Sequence, residues 1–494
     1  MFFSNLVREL PGARTLGRPD VNVESIVYDS RRATAGSLFV AVGGETFDGH
    51  QFAGAAVKNG AVAIIAEREL PGIPLDDVSV AVVDDSRVAM AAVAAKFYDY
   101  PSRNLKLIGV TGTKGKTTTT YLIASIFRSA GWKTGVIGTI GSRVGDEVID
   151  SEHTTPESVD LQALLARMAA SQAQLVAMEV SSHGLAQGRV AGCEFDCGIF
   201  TNLTRDHLDY HSTMEEYLDA KLLLFKDCAA ASGKEFTAVV NLDDPVSSKV
   251  VAAANGRVIT FGVKAPADVT ASDIRATAKG VSYLLTYRGE RVEVGLRLGG
   301  LFNVYNSLAA AGAALSQGLG LSRIAAGLAS AENVAGRFES IECGQDFAVL
   351  VDYAHAPDAL ENVLIAARDL TDGRLIVVFG CGGNRDRGKR PMMGRIASEL
   401  ADMCVVTSDN PRKEDPDAII GEILAGVDGG RRGRVSVEAS RRDAIRMALD
   451  MAGSGDVVLV AGKGHEDYQI FADKTIHFDD REVVREILCS KALS

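Results

Sequence analysis

Apolar residues fall into short runs along this chain, each closed by polar or glycine-rich residues. LKLIGV (105–110), TGVIGTI (134–140), QLVAMEVSS (174–182), FDCGIFTNL (195–203) and FTAVVNL (236–242) are nearly uninterrupted. That is the pattern of strands buried on both faces of a parallel sheet, not the alternation of a half-exposed one. Between the first two, YLIASIFRSAGW reads as a helix, and strands alternating with helical segments predict a parallel sheet covered by helices. The first hundred residues hold shorter strand-like runs, SLFVAV (37–42) and AVAIIAE (61–67), ending at Pro101. A second α/β block begins near residue 335, where FAVLVDYAH (347–355), RLIVVFGCGG (374–383), DMCVVTSDN (402–410) and DVVLVAGKGHE (456–466) all run from apolar to polar. The expected architecture is α/β in three segments. In open α/β sheets ligands gather at the carboxyl ends of strands, where these polar tails stand.

The strongest chemical signal follows the run 105–110. Gly109-Val110-Thr111-Gly112-Thr113-Lys114-Gly115-Lys116-Thr117-Thr118 joins a strand to a helix through a glycine-rich turn. Such a turn presents backbone N–H groups and a helix N-terminus to phosphate oxygens. Lys116 is expected to reach the terminal phosphates, and Thr117 to offer its hydroxyl to Mg²⁺. A strict phosphate-loop pattern carries glycine at position 110, where this chain has Val110, so the loop is a variant. Glu179, at the end of the next strongly apolar run, is well placed as a magnesium ligand, and His207 lies in NLTRDHLDYH after another strand. The His207–His211 spacing would also suit zinc, but neither a cysteine partner nor a glutamate–histidine helix motif accompanies it. Five of the eight histidines, at 183, 207, 211, 355 and 465, follow apolar strands, and a chance group of ordinary loop histidines is the alternative.

Composition narrows the partners. Hydrophobic residues make up 47% and charged residues 23% of 494, ordinary for a globular chain. At roughly 100–200 residues per domain, about three domains are expected. With 52 basic and 64 acidic residues the net charge is −12, which disfavours general binding to nucleic acid or anionic membrane. No apolar run approaches the ~18 residues a membrane helix needs, and MFFSNLVREL lacks the basic leader of a signal peptide. Seven cysteines between Cys193 and Cys489 show no paired zinc spacing and read as reduced structural thiols in a cytoplasmic protein.

With these residues on the page, the chain resembles the Mur ligase family, ATP-dependent enzymes that add amino acids to the UDP-N-acetylmuramoyl peptide of bacterial cell-wall synthesis. The resemblance spans nearly the whole chain: TGTKGKTT (111–118), HTTP (153–156), EVSSHGLAQGR (179–189), NLTRDHLDYH (202–211), YLDAKLLLF (217–225), GLFNVYN (300–306), GRFE (336–339), DYAHAPD (352–358) and DNPR (409–412). Within the family it looks like the members that add the third peptide residue, and DNPR resembles the signature of those adding meso-diaminopimelate. The resemblance implies an N-terminal α/β UDP-binding domain (1–102), a central P-loop ATPase-like parallel-sheet domain (103–334) and a C-terminal Rossmann-like domain (335–494). It implies that ATP phosphorylates the D-glutamyl γ-carboxylate of UDP-MurNAc-L-Ala-D-Glu. An amine of meso-diaminopimelate then attacks the acyl phosphate, giving an amide, ADP and phosphate.

The same resemblance assigns roles residue by residue. Lys116, Lys221 and His207 would be catalytic. Gly112 to Thr118 (with Thr113, Lys114, Gly115 and Thr117), together with Asn303, Asn306, Arg337 and Asp352, would hold ATP. Thr117, Glu179, His207 and a carbamylated Lys221 would hold magnesium, with two ions expected. A carbamate turns a lysine cation into an anionic oxygen donor suited to a hard metal. Without the family, Lys221 would read as a solvated helix lysine, and Asn303 and Asn306 as helix caps. Tyr28, Ser30, Glu45, Thr46 and Phe47, with His153, Thr154, Thr155, Ser181, Gln187 and Arg189, match the UDP-sugar-peptide site, although His153 stands where many relatives carry asparagine. Arg385, Asp409, Asn410, Pro411, Arg412, Gly462 and Glu466 match the amino-acid site; the basic loop 385–390 reads otherwise as a solvated face. The partners expected are the two small-molecule substrates, with no nucleic acid, no membrane insertion and a monomeric chain. The rivals are a lysine-adding relative, folylpolyglutamate synthetase, which would need neither a UDP domain nor DNPR, and a non-catalytic nucleotide-binding scaffold, which would have lost Lys116, Glu179 or Lys221.

Overall fold

The computed structural model describes every residue except Glu9, Pro19, Glu45–Phe47, Asp146, Asp150–Glu152, Asp372, Leu493 and Ser494, and the side chains of Lys491 and Ala492. The chain forms two compact units, one of Met1–Lys116 with Ala130–Thr260, the other of Thr117–Ser129 with Phe261–Ser494.

The first unit holds two sheets. Arg14–Gly17 (β1), Ser25–Val27 (β2), Ser37–Val40 (β3), Ala61–Ala66 (β4) and Ser79–Val82 (β5) form the first, in the order β1-β5-β4-β3-β2, parallel except for β1. The second uses Lys106–Thr111 (β6), Thr134–Gly138 (β7), Gly141–Val144 (β8), Glu147–Ile149 (β9), Leu175–Glu179 (β10), Cys197–Phe200 (β11) and Thr237–Asn241 (β12). Its order here is β12-β11-β6-β10-β7-β8-β9, parallel from β12 to β7 and antiparallel beyond. Each apolar run read from the sequence before residue 250 is one of these strands, and β7, β10, β11 and β12 are buried at every position. Register then places the site: Glu179 pairs with Val110, and Phe200 with Thr111. The loops after β6, β10 and β11 therefore leave neighbouring strands at one edge.

Arg257–Gly262 (β13) carries the chain into the second unit. There Val269–Ala276 (β14), Val281–Tyr287 (β15) and Glu290–Leu296 (β16) make an antiparallel meander packed by the helix Leu301–Ser316. Glu339–Ser340 (β17), Ala348–Asp352 (β18), Leu375–Phe379 (β19), Met403–Val406 (β20), Val435–Val437 (β21) and Val457–Ala461 (β22) form a six-stranded sheet, ordered β17-β18-β22-β19-β20-β21. All but β17 run parallel, so the tails after β18, β19, β20 and β22 share its carboxyl edge. A small hairpin, Tyr468–Ile470 (β23) with Thr475–His477 (β24), follows. Among the described residues no helix is long and apolar enough to cross a membrane.

Candidate active site

The glycine-rich loop is locked by the segment after β11. Gly112 has φ 145°, and a Cβ there would stand 1.9 Å from Thr201 Oγ1, so only glycine fits the turn. Thr113 N–H donates to the Asn202 carbonyl at 2.9 Å and Lys114 N–H to Asn202 Oδ1 at 2.9 Å, while Thr201 Oγ1 donates to the Lys114 carbonyl at 2.7 Å. Lys114 Nζ stands 3.3 Å from Asp206 Oδ2. The helix opens at Lys116 as expected, with Thr117 and Thr118 next in it, and Lys116 Nζ donates to the carbonyls of Gly112 and Thr113 at 3.0 and 2.9 Å.

Lys221 joins the same carbonyl. It lies in the last turn of Met214–Leu222, a helix started by Thr213, whose side chain accepts the Glu216 N–H, and the face bearing Tyr217, Leu218 and Lys221 is buried. Lys221 Nζ donates to Gly112 O at 3.0 Å and sits 4.2 Å from the Tyr217 ring centroid. Burial, reinforced by the Lys116 cation, pushes its pKa well below that of an ordinary lysine, favouring the neutral amine. The solvated-lysine reading therefore fails.

Three imidazoles gather beside it. His183 lies 5.0 Å from His207 and 5.5 Å from His211, ring to ring, and Tyr217 packs on both His207 and His211. Burial lowers the pKa of all three, keeping them neutral acceptors. His207 has a left-handed backbone, φ 54°, and its N–H donates to Asp206 Oδ1 at 2.9 Å. Glu179 is buried elsewhere on this edge: Thr139 N–H donates to Oε1 at 2.8 Å and Thr139 Oγ1 to Oε2 at 3.2 Å. Among the described residues no three His, Cys, Asp or Glu side chains converge as a ready metal cage.

The peptide-site residues form a second network in the first unit. Thr155 Oγ1 donates to the Glu179 carbonyl at 2.9 Å and accepts the Ser181 N–H at 3.0 Å, while Thr139 and Thr154 hydroxyls lie 3.1 Å apart. Arg189 donates to Thr155 O and Gln187 Oε1 and pairs with Glu157 at 3.0 Å. The Tyr28 hydroxyl donates to Asp160 of the helix Ser158–Ala170, and burial with that carboxylate raises the phenol pKa. Ser30 is buried at a short helical turn and His153 is exposed. Glu45, Thr46 and Phe47 lie outside the described residues.

In the second unit Asn303 and Asn306 are interior to Leu301–Ser316, not caps: Asn303 Nδ2 donates to Gly299 O at 2.7 Å and Asn306 Nδ2 to Asn303 Oδ1 at 2.9 Å. Asp352 accepts the N–H groups of Phe338 and Ala354, and Arg337 stacks over Tyr353 at 5.1 Å. Asn410 Nδ2 donates to Glu466 Oε2 at 2.9 Å, and Arg412, with φ 53°, donates through Nη1 to Gly383 O at 3.0 Å. A Cβ on Gly462 would stand 2.7 Å from Asp409 Oδ2, and one on Gly383 1.9 Å from Pro411 O, so these loops interlock at two glycines. The basic loop divides: Arg385 is exposed, whereas Arg390 is fully buried between Glu414 and Glu422 at 2.9 and 2.7 Å.

Sequence reasoning missed Asn202, Asp206, Tyr217, Arg390 and Lys463. The first three sit inside quoted motifs, and their polar types beside the expected ligands were the available signal. For Arg390 the signal was its place in the basic loop 385–390, and for Lys463 its place in the polar tail of the run 456–466.

A glycine-rich loop closed on a buried lysine, at the carboxyl edge of a parallel sheet, is the frame of a phosphate-loop protein built from α/β domains. The chain belongs to the Mur ligase family. Patterns described as "Mur ligase family, catalytic domain", "Mur ligase middle domain" and "Mur ligase, glutamate ligase domain" match residues 22–98, 110–314 and 336–464. A Geobacillus thermodenitrificans protein named UDP-N-acetylmuramoyl-L-alanyl-D-glutamate--2,6-diaminopimelate ligase is 48% identical over 493 residues, covering 98% of this chain and 99% of its own. A Syntrophomonas wolfei protein of the same name is 46% identical over 475 residues, 96% of each. A solved structure bearing that enzyme name superposes with TM-score 0.69 at 34% identity, covering 95% of both chains. MurF from Acinetobacter baumannii, at 21% identity and TM-score 0.64, shares the fold.

Proposed function

We propose that this protein is an ATP-dependent ligase that joins meso-diaminopimelate to the D-glutamyl γ-carboxylate of UDP-MurNAc-L-Ala-D-Glu through an acyl phosphate. Support comes from relatives of that name along the whole chain. The observation that carries the chemistry is that Lys116 and Lys221 both close on the Gly112 carbonyl. In-line phosphoryl transfer needs cationic charge on the γ-phosphoryl oxygens and fixed phosphate donors, which Lys116 and the N–H groups of residues 115–118 are suited to supply, while Asn202 takes those of Thr113 and Lys114 and fixes the loop. The glutamyl carboxylate attacks the γ-phosphorus and ADP leaves. The amine of the second substrate then attacks the acyl carbon, expelling phosphate, and a base accepts its proton.

Magnesium fits this donor set on one condition. The Thr117 hydroxyl, the Glu179 carboxylate and the neutral His207 imidazole suit a hard cation, and a further anionic oxygen completes the set if the neutral amine of Lys221 is carbamylated. When bound, the metal neutralises charge on the transferring phosphoryl group.

The remaining assignments belong to the same reading. Asn303, Asn306, Arg337 and Asp352 hold adenine, phosphate and ribose. Tyr28, Ser30, Glu45, Thr46, Phe47, His153, Thr154, Thr155, Ser181, Gln187 and Arg189 hold the UDP-sugar peptide. Arg385, Asp409, Asn410, Pro411, Arg412, Gly462 and Glu466 hold diaminopimelate. The domains divide as 1–102, 103–334 and 335–494, and the enzyme works as a cytoplasmic monomer. The test is phosphate release, expected only with UDP-MurNAc-L-Ala-D-Glu, meso-diaminopimelate and Mg-ATP all present. Release without the amino acid, or with L-lysine in preference, overturns the reading.

A further inference from the structure

Lys463 has no role in the reading above, yet it is a fully enclosed cation in the amino-acid cluster. Its side chain is 0% exposed, and Nζ donates to Asn410 Oδ1 at 3.0 Å and to the Tyr468 carbonyl at 2.6 Å, with Glu466 Oε2 at 3.6 Å. Asn410 Oδ1 also accepts the Ile470 N–H at 3.0 Å. Two donors on one amide oxygen leave Asn410 a single orientation, with Nδ2 on Glu466 Oε2 at 2.9 Å. The chain Lys463–Asn410–Glu466 therefore fixes which atoms of both proposed ligands meet a substrate.

We propose that Lys463 is a positioning residue that sets amino-acid selectivity: it orients Asn410 and Glu466 and supplies the buried positive charge that discriminates against an amino acid with a bare distal ammonium. The inference rests on the diaminopimelate reading. Meso-diaminopimelate ends in a carboxylate and an ammonium, net zero, whereas lysine ends in an ammonium alone. A lone distal ammonium brought against Glu466 also meets the Lys463 cation 3.6 Å from that carboxylate, and like charges placed together discriminate strongly. Asp409, Arg441 and Asp480 also face this pair, but Arg441 and Asp480 neutralise each other in a buried bidentate bridge at 2.7 Å. The phenols of Tyr353 and Tyr468, facing Glu466, are pushed up and stay neutral.

Replacing Lys463 by methionine removes the charge and keeps the volume. Burial already raises the Glu466 pKa while Lys463 opposes the rise, so losing Lys463 moves it further up. The expected results are a fall of about tenfold to a hundredfold in the ratio of kcat/KM for meso-diaminopimelate over L-lysine, and an acidic limb of kcat/KM displaced to higher pH. A merely structural lysine would lower both substrates alike and leave the limb in place. Lys463→Gln, which keeps a donor for Asn410 without the charge, serves as the second variant if the first does not fold. Unchanged ratio and limb overturn the inference, as does failure of both variants to fold, which would make Lys463 a strut. A wild-type protein that forms no amide with meso-diaminopimelate overturns the reading of the site instead.

Discussion

Arg412→Ala removes a guanidinium whose charge meets no carboxylate among the described residues. Its Nη1 touches only the carbonyls of Gly383 and Asn410, at 3.0 and 3.5 Å. The acidic neighbour that might have claimed it, Glu414, is taken bidentately by Arg390 at 2.9 and 2.9 Å. A guanidinium so placed grips a substrate carboxylate with parallel hydrogen bonds and repels an ammonium. Breaking one side of a desolvated charge pair costs about 3–5 kcal/mol, or roughly two to four orders of magnitude. The ratio of kcat/KM for meso-diaminopimelate over L-lysine should fall by that factor, measured by amide formation or phosphate release. Because φ at 412 is 53°, alanine also strains the backbone, whereas asparagine tolerates that conformation. Arg412→Asn should therefore lose selectivity as alanine does. Recovery in the asparagine variant, or an intact preference in both, refutes the argument.

Lys221→Ala should lower turnover by roughly three orders of magnitude, and short carboxylic acids should restore part of it by standing in for the oxygens of the proposed carbamate; near-normal turnover of the variant defeats the assignment. Arg390 holds the Glu414 carboxyl down to about 2, so this pair stabilises the fold fully above the ordinary carboxylate pKa and loses its effect as pH falls toward 2. Glu414→Gln should accordingly lower Tm at neutral pH and lessen the Tm drop between about pH 4.5 and pH 2, seen by thermal melts in a pH series. The sulfurs of Cys343 and Cys489 lie 2.9 Å apart, 146 positions apart in the chain, and a small-molecule disulfide should join them. Thiol titration should then fall from seven to five groups and Tm should rise, since closing a loop that long constrains the unfolded chain by about 4–5 kcal/mol. Seven titratable thiols after oxidation would show that the pair does not close.

How much of this protein its amino acids announce depends on how far away the deciding partner lies. Local patterns sufficed for β6, β10, β11 and β12, because continuous apolar runs can only be buried, and for the helix opening at Lys116, because the glycine-rich turn before it has few alternatives. They sufficed less for β14 to β16, half-exposed strands that lack the continuous apolar run of the buried ones. Position in the sheet was not local at all. That β6 lies between β10 and β11 brings Lys114 to Asn202, 88 residues on, and Lys221 to Gly112, 109 residues back. The same distance effect separates Arg385 from Arg390: five residues apart in one basic loop, one exposed and the other buried on two glutamates from a later helix and its approach. Motif spelling named the candidate ligands. Only the tertiary structure decided which are held by what, because hydrogen-bond partners for buried polar groups come from strands whose lateral order the chain order does not specify.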